Sequence, residues 1–157
     1  MSLERDIHIL SRVRMFEGFS HEHLRLIAFG AEARTLSEGT RLYRADAYSD
    51  GGYVIVSGKV ELQKSDDGGT ITEHGPGALL GELALIAEIN HAATAMTVEK
   101  SEVLKIPRPL FRRILEEYPE LAEGLHAKLS KSVNDFVAKL ETVRVKLDRA
   151  EQLSAQK

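Results

Sequence analysis

Cysteine is absent from this chain of 157 residues, which excludes disulfides, thiolate metal sites and a cysteine nucleophile. A surplus of one charge is absent too. With 21 basic residues against 24 acidic ones the net charge is -3, so no global field draws the chain toward DNA, RNA or an anionic membrane. No stretch of about 18 apolar residues occurs to span a bilayer, and the opening "MSLERDIHIL" lacks the apolar core of a secretory leader. The expected address is cytoplasmic. Phosphate fingerprints are missing as well: "SGKVE" has no upstream P-loop glycine, and no Rossmann-type glycine pattern is found. No nucleophile stands near a plausible base, so an enzyme is not expected.

What is present is the material of a folded domain. Hydrophobic residues make up 43% and charged residues 29%, enough to build a core and too apolar for a disordered tail. The length fits one domain plus an appendage. Leu3, Ile7, Leu10 and Val13, then Leu24, Ile27 and Ala28, recur at spacings of three and four, which predicts two amphipathic helices around "FEGFS", with Ser20 as N-cap of the second. From Ala33 to Pro107 the texture changes to short runs separated by glycine: "TRLYR", "GGYVIVSG", "KVELQKS", "TITEHG", "ATAMTV" and "EVLKIP". These read as strands. "SDDGGT" (Ser65 to Thr70) between two of them is a hairpin signal. Without crossover helices between the runs, the expected fold is mainly β with flanking helices: a double-stranded β-helix, or jelly roll, with N-terminal helices and a long C-terminal helix.

That last helix has its own period. Leu129, Val133, Phe136, Leu140, Val143 and Leu147 advance by 4, 3, 4, 3 and 4, the seam of a coiled coil. Two readings stand: a homodimer through this helix, or a stripe packed on the domain's own surface. The expected division is 1–128 for the helices and jelly roll and 129–157 for the C-terminal helix.

One loop carries the chemistry. Residues 81 to 96 read "GELALIAEINHAATAM". If Gly81 ends a strand and Glu82 to Ala87 form a short helix, the first amides of that helix lack internal partners and are suited to an anion. Gly81 lets the backbone come close, and Glu82 is an acceptor suited to a sugar hydroxyl, or simply a carboxylate that stabilises the helix start. Ala92, Ala93 and Thr94 leave room for a ligand. A phosphate there requires a cation near residues 90 to 92, and the sequence offers His91. It reads either as a loop histidine without a ligand, as the group that pairs a phosphate, or as a contact for another small anion. His21 and His23 sit two apart at a helix start, on different sides, which argues against a metal.

The helices, the stretch "EGTRLYRADAYSDGGYVIVSGKVELQKSDDGGTITEHGPGALLGELALI" and the terminal helix together resemble the cyclic nucleotide-binding domain. The resemblance runs from about Ile9 to Leu129, with Gly39, Gly58, Gly77 and Gly81 at the family's turns. It implies a jelly roll that binds cyclic AMP or cyclic GMP through a phosphate-binding cassette and needs no cofactor. Gly81, Glu82, Leu83 and Ala84 correspond to the start of that cassette, with Glu82 in the place of the residue that accepts the ribose 2'-hydroxyl. The family cassette continues with proline, arginine, two small residues and threonine; here Asn90, His91, Ala92, Ala93 and Thr94 stand in that order. His91 replaces the arginine that pairs the phosphate, and Leu80 stands where an aromatic residue is frequent.

The resemblance also implies a terminal helix that closes over the base, with Ser130 and Ser132 as candidate contacts. Many bacterial relatives follow it with a DNA-binding module. Only ten residues remain after Leu147, so DNA binding by this chain alone is not expected. The expected function is a regulatory module that binds cyclic AMP or cyclic GMP and signals through its C-terminal helix. The alternative is a dimerisation or interaction scaffold that has lost nucleotide binding.

Overall fold

A computed structural model describes residues 2–64 and 71–128. The expected hairpin at 65–70 and the heptad segment 129–157, with its proposed dimer seam and serine contacts, lie outside the described residues. The chain divides into two compact units, Met1–Pro119 and Glu120–Lys157. Of the second, residues 120–128 are described, and they are helical.

The first unit opens with helix α1 (Leu3–Ser11), a 3₁₀ turn at Arg14–Phe16 and helix α2 (His21–Gly30). Ser2 caps α1 by accepting from the Arg5 amide at 3.1 Å, and Glu4 and Asp6 place negative charge at the positive end of the helix. Ser20 caps α2 as expected. Its hydroxyl accepts from the His23 amide while the His23 ring accepts from the Ser20 amide, a reciprocal box in which imidazole does the work usual for glutamate or glutamine. The apolar residues of both helices face inward: Ile7, Leu10, Leu24 and Ile27 are buried.

Eight strands follow: β1 (Glu32–Leu36), β2 (Arg41–Tyr43), β3 (Gly51–Ser57), β4 (Val60–Gln63), β5 (Ile71–His74), β6 (Leu79–Leu80), β7 (Thr94–Thr97) and β8 (Ser101–Pro107). They form two antiparallel sheets, β1-β8-β3-β6 and β2-β7-β4-β5, in agreement with the jelly roll expected. Helix α3 (Arg108–Glu117) closes the unit. Between the sheets lie Tyr53 and Ile55 of β3, Leu80 of β6 and Val103 of β8 on one side, and Val60 of β4 and Ala95 of β7 on the other. Tyr43, Leu42 and Leu62 pack on this cluster.

β3 is buried along Gly51–Val56, on both of its faces. Alternation sends Tyr53 and Ile55 into the sandwich, so Val54 and Val56 face the other way, the side on which α1 packs. That is why "GGYVIV" reads as a continuous apolar run and not as an alternating one. Gly58 turns the chain from β3 to β4 at φ +93°, where a side chain would overlap the Ser101 hydroxyl and the Lys100 carbonyl.

Ile55 has 0% exposure and sits between the sheets, so Ile55→Ala leaves a cavity that the flanking strands cannot easily collapse. The expected loss is about 2–5 kcal/mol of unfolding free energy, read as a lower urea midpoint with an unchanged slope.

Candidate functional site

β6 runs into Gly81, which takes a left-handed conformation (φ 77°, ψ 39°), and the chain then makes one 3₁₀ turn over Glu82–Leu85. The short helix expected here is present in its tighter form. Ala84 and Leu85 are buried, whereas Glu82 is exposed and Leu83 is 54% exposed. The turn is closed by the Ala84 amide donating to the Gly81 carbonyl at 3.0 Å, with the Ala87 amide donating to the Leu83 carbonyl at 3.0 Å. Glycine at 81 is required twice. Its positive φ is costly for an L residue, and a Cβ there would lie 3.3 Å from the Gly51 carbonyl oxygen and 3.7 Å from Cε1 of His91.

That second distance brings Gly81 and His91 together. His91 is not a surface residue: it is 7% exposed, and its ring lies flat on Tyr43, with centroids 3.6 Å apart and planes at 8°. The backbone holds it from both sides, since the Asp46 amide donates to the His91 carbonyl at 2.7 Å and the His91 amide donates to the Ala47 carbonyl at 2.9 Å. Burial pushes the imidazole below its ordinary pKa, opposed in part by the Asp50 carboxylate. Tyr43, half-buried beside Tyr53, has its phenol pushed up to about 12, chiefly by desolvation and secondarily by the Tyr53 oxygen. Ala92 is exposed and Ala93 buried, and the Thr94 hydroxyl accepts from the Ala45 amide at 2.9 Å.

Sequence reasoning missed Arg108. This guanidinium is 5% exposed at the first position of α3, the end of a helix at which a cation is electrostatically disfavoured. Its position against the helix dipole is the one signal in the sequence that it serves something else. Nε donates to the Ala84 carbonyl at 2.7 Å, Nη1 to the Tyr48 hydroxyl at 3.2 Å, and Nη2 to the Ser49 carbonyl. The Arg108 amide adds a bond to the Asp50 carbonyl at 2.8 Å. One side chain thus ties the cassette turn to the approach of β3 and to the start of α3. Close approach is possible because Gly51 and Gly52 carry no Cβ: at 51 it would overlap the Ile106 carbonyl, and at 52 it would come within 3.2 Å of Leu85 Cγ.

Asp50 is the nearest carboxylate to this assembly. It pairs with Lys105 at 3.0 Å, and that hydrogen bond holds its pKa below the usual range, with further help from the charges of Lys105 and Arg108. Of the residues singled out by sequence, the structure places Gly81, Ala84, His91 and Ala93 inward, while Glu82, Leu83 and Ala92 stand exposed around them. His21 and His23 are used elsewhere, His21 near Glu4 at 3.6 Å and His23 in the α2 cap and against Tyr118. Among the described residues no group of three potential metal ligands comes together.

With this geometry in place, comparison with known proteins is informative. A family model described as the cyclic nucleotide-binding domain matches residues 33–118. The solved structure of a cyclic nucleotide-binding-like protein from Brucella abortus is 47% identical, covers 71% of this chain and 97% of its own, and superposes with a TM-score of 0.64. The catabolite activator protein of Thermus thermophilus is 26% identical over 82% of this chain and 62% of its own, with a TM-score of 0.69. A Drosophila persimilis protein named neuropathy target esterase is 34% identical over 110 residues, 68% of this chain. The chain spans only 8% of the length of that relative.

Arg108→Met keeps the apolar bulk but strands three acceptors, two of them carbonyls in the interior. The expected cost is about 3 kcal/mol in urea denaturation. Arg108→Lys should recover less than half of it, because one ammonium cannot reproduce a fork that reaches three directions.

Proposed function

The chain belongs to the cyclic nucleotide-binding domain family, and from that membership we propose that it is a regulatory module whose cassette binds cyclic AMP or cyclic GMP. The observation that supports this reading is the meeting of Gly81 with a buried His91 beside the sandwich interior, two residues that the family resemblance assigns to the phosphate-binding cassette. Gly81, Leu83, Ala84, Ala92 and Ala93 border the phosphate, Glu82 accepts the ribose hydroxyl from its exposed position, and His91 supplies the pairing group. Binding is weaker than with arginine, since imidazole has no permanent charge and no fork, whereas guanidinium has both. The family likeness supports a regulatory and not a catalytic role. The esterase in the name of the Drosophila relative belongs to a protein of which this chain matches a small part.

The same proposal sends output through residues 129–157, outside the described residues, by homodimerisation and a ligand-dependent shift between helix arrangements. The reading includes no DNA binding by this chain alone, no membrane contact and a cytoplasmic setting. Among the described residues no helix is long and apolar enough to cross a membrane. A second reading, a scaffold without nucleotide binding, is favoured by one feature: Arg108, the cation bonded to the cassette turn, is already committed to three acceptors.

Titration calorimetry at about pH 6 with each cyclic nucleotide separates the two. Saturable binding is expected, and His91→Arg should tighten it roughly 30- to 150-fold, the equivalent of one charge-assisted contact. Silence from both proteins up to millimolar nucleotide would leave the scaffold as the account.

A further inference from the structure

The His91 ring has an uncommon status. It is 7% exposed and held by stacking on Tyr43, yet among the described residues neither ring nitrogen is one of the buried side-chain atoms left without a partner. Its Cε1 edge lies beside Gly81, where a Cβ would come within 3.7 Å. A ring so held is fixed by its face and its backbone, and its edge is turned to the cassette.

The charge around it decides what can meet that edge. Tyr43 and Tyr53, from β2 and β3, offer neutral faces and hydroxyls. From the loop before β3 come Asp46, whose amide bonds the His91 carbonyl, and Tyr48 opposite Asn90. Asp50 is the carboxylate whose charge reaches the ring, and it is already shared between Lys105 and the field of Arg108. On the cassette itself Glu82 and Glu88 are exposed. Arg41 and Arg44, exposed on either side of Tyr43 along the chain, are the cations of these same elements, and the one charge resolved at the imidazole itself is that of Asp50. At the ring an incoming phosphodiester meets a group able to acquire a positive charge.

We propose that ligand capture at this site takes up one proton on His91, so that the module reads a phosphodiester anion and acidity together. The proposal rests on the cyclic nucleotide reading above. The bound anion stabilises imidazolium, the proton comes from solvent, and the Tyr43 face, electron-rich at its centre, supports the cation once formed. Burial works in the opposite direction in the empty protein, where it keeps the ring neutral near pH 7. For a group whose folded pKa is depressed, the stability contribution is present above its unfolded value and is lost as pH falls through the folded one. Acidification thus weakens the empty state while it favours the occupied one.

The test is calorimetry of the full chain with cyclic AMP and cyclic GMP at one pH above 7, in buffers of different ionisation enthalpy, followed by a pH series. The expected result is an observed enthalpy that tracks the buffer with a slope near one proton, and an affinity that falls about tenfold per pH unit, since only the protonated fraction is competent. His91→Arg should show a slope near zero and a flat profile. Asp50→Asn should move the profile to lower pH without changing the plateau affinity. Binding with no buffer dependence would overturn the proton uptake and leave the nucleotide reading intact. A silent native protein beside a binding His91→Arg would overturn it as well, while keeping the pocket. Silence from both would overturn both readings.

Discussion

The Arg108 guanidinium is the contact on which the geometry of the candidate site depends. It reaches the carbonyl of Ala84 in the cassette turn, the carbonyl of Ser49 and the hydroxyl of Tyr48 ahead of β3, while its own amide bonds the Asp50 carbonyl. A 3₁₀ turn of four residues has little stability of its own, because few hydrogen bonds hold it and their geometry is poor. Fixing Ala84 from outside sets where Gly81 and Leu85 lie. Through Gly81 it also limits where His91 can lie, since the two are in contact range. The cost of burying the guanidinium is offset by acceptors on every side that the fork can reach.

That arrangement has an electrostatic consequence. The arginine bonded to the cassette turn points into the backbone and is consumed there, and the pair of rings beside Gly81 is neutral near pH 7. Tyr43 is kept protonated by burial and His91 is kept neutral by it, and the two rings lie flat on each other as uncharged aromatic surfaces. Asp50 is held ionised by Lys105, at the rim and not in the interior. On the proposed reading, a titratable group stands at the position where the family resemblance puts an arginine. The fold tolerates the exchange because a stacked imidazole fills space and excludes water as an apolar ring does.

Much of the fold was legible in the sequence, and for reasons that can be stated residue by residue. Ser20 announced the start of α2 because a short polar side chain is the local solution to unsatisfied helix amides. Gly39, Gly58, Gly77 and Gly81 marked turns, and all four take positive φ. The runs around Tyr53, Leu62, Ala95 and Val103 became strands because β-branched and apolar residues fit a covered pleated surface. Two strands were not legible: β6 has two residues, too few for a pattern, and β1 is an exposed edge strand with little apolar periodicity. The candidate cassette was proposed from its glycine, its glutamate and its order of small residues, and the structure brings Gly81 beside His91.

What the sequence determined by itself is whatever short-range chemistry dictates: caps, turns, alternation, and the substitution of histidine at position 91. The tertiary structure alone decided what that histidine is. Read in sequence, His91 is a polar residue in a loop; in the fold, β2 supplies Tyr43 as a stacking partner and Gly81 opens one side of the ring. The role of Arg108 was decided in the same way, because its acceptors come from residues far away along the chain, Ala84, Tyr48 and Ser49. Protonation states and buried hydrogen bonds depend on distance and dielectric in space. Neither quantity exists until the two sheets have closed on each other.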